Sequence, residues 1–344
     1  MKDYQSEEDK SIRKINNRNT GIDLARTIAI IGVILVHTTG FSIGRFGVQF
    51  FFIISGFLLA DLSLFKSDTH FLLHRFFRLF PLTFVFILIF YLNDLNMVAL
   101  LFNFVLLQNI YWRIESFPGG WSISLEWIYS LLLVVIKNFQ KKVLYVLLGL
   151  SSITSILLGY FVYSTGGVDL SQGLEVYVFR TWLNTLNPVI NMPFFLVGVC
   201  IKRGFIDLSK VHFIVGLASL CLMTCFDMYV GHLLVAWIPV LAFFFTWCIR
   251  FKSDILILNK VVLFIGKRTY GIFFSHFLFW QNPALSDFYK IMHFAELGYL
   301  FKIIDFVTVF SLSILVGTFT YKFIEKPSMR LSVLLENKFF TNSL

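Results

Sequence analysis

Long apolar segments separated by short polar ones constrain the fold of this chain more than any other feature. Of its 344 residues, 57% are hydrophobic and only 14% are charged, whereas a soluble domain carries about 25% charged residues. A helix of about 20 apolar residues crosses the hydrocarbon core of a bilayer. The sequence therefore predicts an all-α, polytopic membrane bundle.

Ten apolar segments are expected to cross the membrane as helices, and several are so short that tilting or local thinning of the bilayer is needed. Segment 97–110 is apolar too, but as an eleventh span it would invert every later loop. We therefore expect an interfacial or re-entrant helix in the outer leaflet there. The ten expected spans are 22–39, 47–65, 77–92, 122–137, 143–162, 189–202, 211–227, 232–250, 262–280 and 300–322.

Lys and Arg are distributed unevenly over the expected loops. With a cytoplasmic N-terminus, 23 of the 29 fall on the inner side, five on the outer side, and Arg26 lies inside the first span. This bias matches the positive-inside rule and places both termini in the cytoplasm. It also accounts for the net charge of +9, so the lipid bilayer is an expected partner and nucleic acid is not.

The polar ends of the chain flank a single expected domain. We expect a cytoplasmic tail at 1–20, a transmembrane domain at 21–328 and a second cytoplasmic tail at 329–344. The first apolar run is too long for a signal core and no A-x-A-like site follows it, so a cleavable signal peptide is not expected. The four Cys lie in apolar segments without ligand spacing, so we interpret them as packing residues and expect no metal site.

The first span carries two polar groups that are costly to place in a bilayer. Arg26 and His37 are eleven residues apart, so they share one helix face about 16 Å apart along the axis. Titratable groups inside a membrane are rare and usually functional. His37 is expected near the outer end, where it either packs as a hydrogen-bonded histidine or accepts a proton from a hydroxyl.

Glu126 is expected at the outer start of the fourth span, at roughly the depth of His37. One interpretation is a first-turn acid that complements the helix dipole. The other is a carboxylate that orients His37 and stabilises its charged form.

Arg75 and Arg78 stand three residues apart on the inner side, so their guanidinium groups share a helix face. They either belong to the positive-inside charge or bind a phosphate group with their forked donors. Pro81 is expected in the first turn of the third span.

Three further signals are weaker. Thr20 and Asp23 have the spacing of a capping box, although Asp23 also has the spacing to pair with Arg26. Ser55 and Gly56 suit a close helix contact better than a serine nucleophile. His276 in the ninth span is either a structural histidine or a functional one.

Two layers result: Arg26, Arg75 and Arg78 at the inner side, and His37 with Glu126 at the outer side. A cytoplasmic anion at one end and proton transfer at the other form a specific pattern.

Motif order and spacing along residues 20–328 resemble the acyltransferase-3 family of integral-membrane O-acyltransferases. No single motif is specific, but the series is. The matching motifs are R-x10-H (Arg26, His37), FF-x-x-SG (Phe51 to Gly56), R-x-x-R (Arg75, Arg78), W-S-x-S-x-E (Trp121 to Glu126), G-x-x-(S/T)-Y (Gly266 to Tyr270), His276, and E-x-P (Glu325, Pro327).

The resemblance implies a transferase that takes an acyl group, most often acetyl, from cytoplasmic acyl-CoA as donor substrate, with no tightly bound cofactor. The implied acceptor is a hydroxyl of a cell-surface glycan or its lipid-linked precursor, at a bacterial inner membrane. His37, Glu126 and Arg26 become candidate catalytic residues, and Arg75 and Arg78 candidate donor-binding residues. Asp23, Ser55, Tyr270 and His276 are candidate supporting residues.

Gly120 stands before Trp121, where many members carry a small polar residue after a histidine. No extracytoplasmic esterase-like domain follows the last span, which favours a stand-alone transferase. The alternative class is a proton-coupled transporter or flippase, which typically shows inverted repeats and broken helices at matching positions. We find no such internal symmetry. The sequence does not indicate an oligomeric state.

Overall fold

A computed structural model shows only helical elements among the residues it describes. The expected spans 211–227 and the first part of 232–250 lie outside those residues. The described residues are 19–41, 46–62, 67–91, 97–111, 113–114, 116–166, 173–206, 237–251, 255–280, 282–291 and 298–340, with single residues 44, 65, 171 and 253.

Fourteen α-helices, numbered here in chain order, make up the described part of the bundle. Two π-helical turns, Trp182–Leu186 and Tyr321–Glu325, precede α8 and α14. The helices are α1 Thr20–Thr39, α2 Phe46–Leu59, α3 Asp68–Tyr91, α4 Met97–Phe104, α5 Gly120–Ile136, α6 Lys141–Ser164, α7 Leu174–Thr181, α8 Pro188–Lys202, α9 Ile238–Arg250, α10 Leu256–Gly266, α11 Thr269–Phe279, α12 Pro283–Ile291, α13 Tyr299–Thr320 and α14 Lys326–Phe340.

Four of the described helices are long and apolar enough to cross a membrane, namely those that begin at Thr20, Asp68, Lys141 and Tyr299. Five shorter apolar helices (α2, α5, α8, α9 and α10) accompany them. The membrane bundle is therefore all-α, as the sequence predicts.

Helix α1 lies at the centre and packs against α2, α9, α10, α11 and α13. The capping box expected for Thr20 and Asp23 is wrong, because a different residue caps the helix. Asn19 is the N-cap and its side chain accepts from the Gly21 amide, so Thr20 already lies inside the helix. Asp23 instead pairs with Arg26, with Oδ1 and Nη1 3.6 Å apart.

A very close helix contact joins α2 to α8. A Cβ on Gly56 would lie 2.1 Å from the carbonyl oxygen of Phe195, and one on Gly198 would lie 2.1 Å from that of Ile53. Small residues allow two helix backbones to approach this closely. The interpretation of Gly56 as a packing residue is therefore confirmed.

Helix α3 begins nine residues before the expected start at residue 77. Pro81 consequently lies in the helix interior, and its expected place in the first turn is wrong. Nζ of Lys137 at the end of α5 lies 2.5 Å from Asp68 Oδ2 at the start of α3. An apolar count misses this first part of α3 because Asp68, Arg75 and Arg78 interrupt the apolar run.

Segment 97–110 forms only the eight-residue α4 and a 3₁₀ turn. Eight helical residues extend about 12 Å, far less than the hydrocarbon core of about 30 Å. The segment folds back onto α5: the side-chain amide of Gln108 donates to the carbonyl of Gly120, and that of Asn109 to the carbonyl of Trp121. This geometry is consistent with the re-entrant segment that the sequence predicts.

Three other segments differ from expectation. The expected span 262–280 is broken at Lys267 and Arg268 into α10 and α11. Gly266 ends α10 against α1, where a Cβ would lie 2.7 Å from Cβ of Asp23. The helix expected at 300–322 continues through a π-helical turn into α14, so most of the expected tail 329–344 is helical.

Candidate active site

A cavity of about 400 Å³ opens between α1, α2, α3, α5 and α11. We call it the cationic cavity, because the described residues that line it include Arg26, Arg75, Arg78 and Lys267 but only one acidic side chain, Glu126. It also includes Ser55 and Tyr270. The structure thus brings together six predicted site residues from five helices.

Arg75 is the most buried cation of this cavity and is held by α5. Its Nη2 donates to Oε1 of Glu126 at 2.5 Å, and its Nε donates to the Ser130 hydroxyl at 3.2 Å. Ser55 from α2 donates to the same Glu126 oxygen at 3.2 Å. The ion pair therefore ties α2, α3 and α5 together at one level of the bundle.

Arg78, one turn further along α3, is held from the other side of the cavity. Its Nη1 donates to Oε2 of Glu325 at 3.0 Å and faces the sulfur of Met329 at 3.6 Å. Its guanidinium carbon lies 5.5 Å from the ring centre of Tyr270. Glu325 ends the π-helical turn, which therefore places a buried carboxylate against α3.

The side chain of Tyr270 is hydrogen-bonded to α3. Its hydroxyl donates to the carbonyl of Leu79 at 2.6 Å and lies 2.8 Å from the Thr83 hydroxyl. The tyrosine therefore forms a fixed wall of the cationic cavity beside Arg78.

His37 lies in a separate aromatic cluster near the end of α1. Its ring centre is 5.3 Å from that of His276, 5.3 Å from that of Phe277 and 4.4 Å from that of Trp280. Nδ1 of the fully buried His276 is hydrogen-bonded to the carbonyl of Phe273, which assigns the proton to Nδ1. Nε2 of His276 is then an acceptor, and it is buried with no hydrogen-bond partner among the described residues.

One phenylalanine separates the histidine pair from the cationic cavity. Phe273 lines the cavity, and its ring centre lies 5.7 Å from that of His276. Among the described residues, neither His37 nor His276 lines the cavity itself. The arrangement is a basic chamber at the level of Arg26 and a pair of imidazoles beyond Phe273.

Glu126 has a different partner from the expected one, because it pairs with Arg75 and not with His37. The contacts of Asp68 with Lys137 and of Arg75 with Glu126 show that α3 and α5 run antiparallel. Arg75 lies about 10 Å into α3 from Asp68, and Glu126 about 16 Å into α5 from Lys137. The long Arg75 side chain spans the difference in height between the two backbone positions. Glu126 therefore lies in the same cavity as Arg26.

The sequence reasoning missed several residues of the site. Ser130 bonds Arg75, and Lys267 had been counted only as inner-side charge. Glu325 was named only as part of the E-x-P motif and was not predicted to pair with Arg78. Ser130 stands one turn after Glu126, a spacing that could have indicated a shared face, but the approach of Lys267 depends on the break between α10 and α11.

A family model described as an acyltransferase domain, that of the acyltransferase-3 family, matches residues 19–322. This range contains every residue of the cationic cavity except Met329, together with both histidines. No curated protein and no solved structure matches the chain.

Proposed function

We propose an activity on one premise: the chain belongs to the acyltransferase-3 family of membrane acyltransferases, whose model matches residues 19–322, well over half of the chain. The proposed reaction moves an acyl group, acetyl in the first instance, from acyl-CoA to a hydroxyl of a cell-surface glycan or of its lipid-linked precursor. The proposed location is the inner membrane of a bacterium, with the donor on the cytoplasmic side.

The observation that carries this proposal is the composition of the cationic cavity. Arg26, Arg75, Arg78 and Lys267 line one chamber, and Glu126 supplies the single carboxylate among its described lining residues. Coenzyme A carries several phosphate negative charges, and guanidinium groups bind phosphate oxygens with two parallel hydrogen bonds. A chamber of this charge within an apolar bundle suits an anionic donor better than a neutral sugar.

The two ion pairs leave room for such a ligand. Glu126 uses Nη2 of Arg75 and Glu325 uses Nη1 of Arg78, while a guanidinium offers five N–H donors. Each arginine therefore keeps free N–H donors for a phosphate, while its carboxylate partner fixes the orientation of the guanidinium group.

His37 is the proposed general base. In the proposed step it accepts the proton of the acceptor hydroxyl as the oxygen attacks the thioester carbonyl carbon. A C–O bond forms, the C–S bond breaks, and the proton passes to the departing thiolate of CoA. The thioester arm would extend from the cationic cavity past Phe273 to reach His37.

His276 is the proposed positioning residue for that base. With its Nδ1 proton donated to a backbone carbonyl, its Nε2 presents a lone pair in an apolar surrounding beside His37. An acceptor there would orient the His37 ring and favour its protonated form during the reaction.

The test is acyl transfer by the purified protein in nanodiscs with acetyl-CoA and glycan from cells that lack the protein. We expect release of free CoA and new O-acetyl methyl signals in the NMR spectrum of the glycan, both lost in His37→Ala. Transport of acetyl-CoA or glycan across vesicles without consumption of the thioester would contradict the proposal and favour the transporter class.

A further inference from the structure

A second concave site adjoins the cationic cavity where α10 ends and α14 begins. It encloses about 380 Å³. We call it the basic cleft. Its polar lining consists of Lys260, Lys267, Arg268, Lys326 and Tyr321, and its apolar lining of Leu263 and Phe264.

In the part of the chain that the structure describes, four cations and no acidic side chain line this cleft. Lys260 projects from α10, Lys326 from the start of α14, and the other two from the break between α10 and α11. The positive-inside rule explains scattered cations at this end of the bundle. It does not by itself predict that cations from three elements converge on one concavity, an arrangement that a bound anion would stabilise.

Arg268 is held rigidly in the cleft. Its guanidinium carbon lies 3.7 Å from the ring centre of Phe264 and 5.2 Å from that of Tyr321. Its Nη1 donates to the Phe264 carbonyl at 2.7 Å, and its buried Nε has no hydrogen-bond partner among the described residues. A planar cation fixed between two rings is pre-organised for a phosphate.

The cleft adjoins the cationic cavity. Lys267 and Tyr321 line both, and Tyr321 is the first residue of the π-helical turn whose last residue, Glu325, holds Arg78. A ligand whose diphosphate lies against Arg75 and Arg78 could therefore extend past Tyr321 into the cleft without crossing the bundle.

We propose that the basic cleft binds a phosphate monoester, and that this group is the 3′-phosphate of the CoA donor. This inference rests on the proposed function, since it names which part of the donor enters the cleft. Coenzyme A carries both a diphosphate and a separate 3′-phosphate on its ribose, and the two adjoining basic sites match that division. The headgroup of an anionic lipid is the other source of the same chemistry.

The test compares the binding of CoA and of 3′-dephospho-CoA to the full-length protein in phosphatidylcholine nanodiscs by calorimetry. We expect the wild type to bind CoA about tenfold more tightly, the scale of one or two charge-assisted contacts. In Lys260→Ala/Lys326→Ala this preference should fall to less than about twofold. The matched control is Lys322→Ala/Arg330→Ala, which removes the same charge from exposed positions of the same region outside the cleft, and which should keep the preference.

Three results would overturn the inference. Equal binding of the two nucleotides by the wild type leaves the donor proposal standing but removes the 3′-phosphate from the cleft. A preference that survives in Lys260→Ala/Lys326→Ala places that phosphate elsewhere. The cleft binds lipid instead if phosphatidylglycerol nanodiscs stabilise the wild type thermally, Lys260→Ala/Lys326→Ala alone loses this effect, and the wild type does not prefer CoA over 3′-dephospho-CoA. Failure to bind either nucleotide would contradict the proposed donor itself.

Discussion

Nη2 of Arg75 lies 2.5 Å from Oε1 of Glu126, inside the membrane bundle, and this ion pair organises the candidate site. Arg75 is only 7% exposed, so its charge depends on Glu126 and Ser130 for compensation. The pair fixes a cation that faces the cavity, and it takes Glu126 away from the level of His37.

Loss of one partner from this pair should destabilise the protein more than loss of both. Removing one member of a buried pair leaves an uncompensated charge, at a cost of about 3–5 kcal/mol. We expect a clear fall in the thermal midpoint for Glu126→Ala and partial recovery in Arg75→Ala/Glu126→Ala, measured by tryptophan fluorescence in detergent. If the effects of Arg75→Ala and Glu126→Ala on the thermal midpoint are additive, the two residues do not interact. Coupling between Glu126→Ala and His37→Ala would then support the interpretation that Glu126 orients His37.

Arg78→Lys tests whether the forked guanidinium binds the donor. Lysine keeps the charge that faces Glu325 but loses the second parallel hydrogen bond to a phosphate. We expect the Kd of CoA, measured by calorimetry, to rise about tenfold. Arg113→Lys is the control, since Arg113 forms an exposed pair with Glu175 and should leave the Kd unchanged. An unaltered Kd in Arg78→Lys would remove Arg78 from the donor site.

His276→Phe tests the positioning of His37. A phenylalanine fills the site among Phe273 and Phe277 but presents no acceptor. We expect kcat to fall at least about tenfold while the KM for the donor stays within about twofold, the sign of an interaction used in the transition state. His276→Gln, which returns an acceptor near the position of Nε2, should recover part of the loss. Equal kcat values for the two variants would mean that His276 acts only by packing.

Gly56→Ala and Gly149→Ala provide a matched comparison of helix packing. A Cβ on Gly56 meets the Phe195 carbonyl oxygen at 2.1 Å, whereas nothing lies within 4 Å of a Cβ on Gly149. The first change should force α2 and α8 apart and lower the yield of monodisperse protein in gel filtration. The second should be neutral or stabilise α6 slightly, since alanine suits a helix interior better than glycine. Similar yields for the two variants would contradict the close α2–α8 contact.

Periodicity and composition predict much of this fold from sequence. The apolar runs locate most helices within a few residues. The spacing of Arg75 and Arg78 predicts a shared helix face, and both side chains line one cavity. The largely buried helix α8 and the short α5 were found because their apolar runs have few interruptions.

The remainder depends on tertiary contacts that no local pattern contains. At the early start of α3, Asp68 contacts Lys137 from another helix. The pairing of Glu126 follows from the relative heights of α3 and α5, which a count of residues from each membrane boundary misjudges. The basic cleft forms beside the point where α10 stops at Gly266, and there α1 approaches too closely for a side chain.

The sidedness of the membrane domain is the premise on which a cytoplasmic donor depends. It follows from the distribution of Lys and Arg, and it holds only if segment 97–110 does not cross the bilayer. In a cysteine-free background, Leu174→Cys in α7 should react with an impermeant thiol reagent added outside intact cells. Lys142→Cys, exposed near the start of α6, should react only after the membrane is permeabilised. The reverse pattern at both positions, with a cysteine in the N-terminal tail still protected, would mean that residues 97–110 cross the membrane.

The short α4 and the contacts of Gln108 and Asn109 with the start of α5 argue that Leu174→Cys reacts outside and Lys142→Cys does not. Because α3 precedes segment 97–110 and α5 follows it, a crossing there would make α5 run parallel to α3 and would separate Lys137 from Asp68. The labelling result therefore also tests whether the antiparallel arrangement of α3 and α5, which positions Glu126 beside Arg75, exists in the membrane.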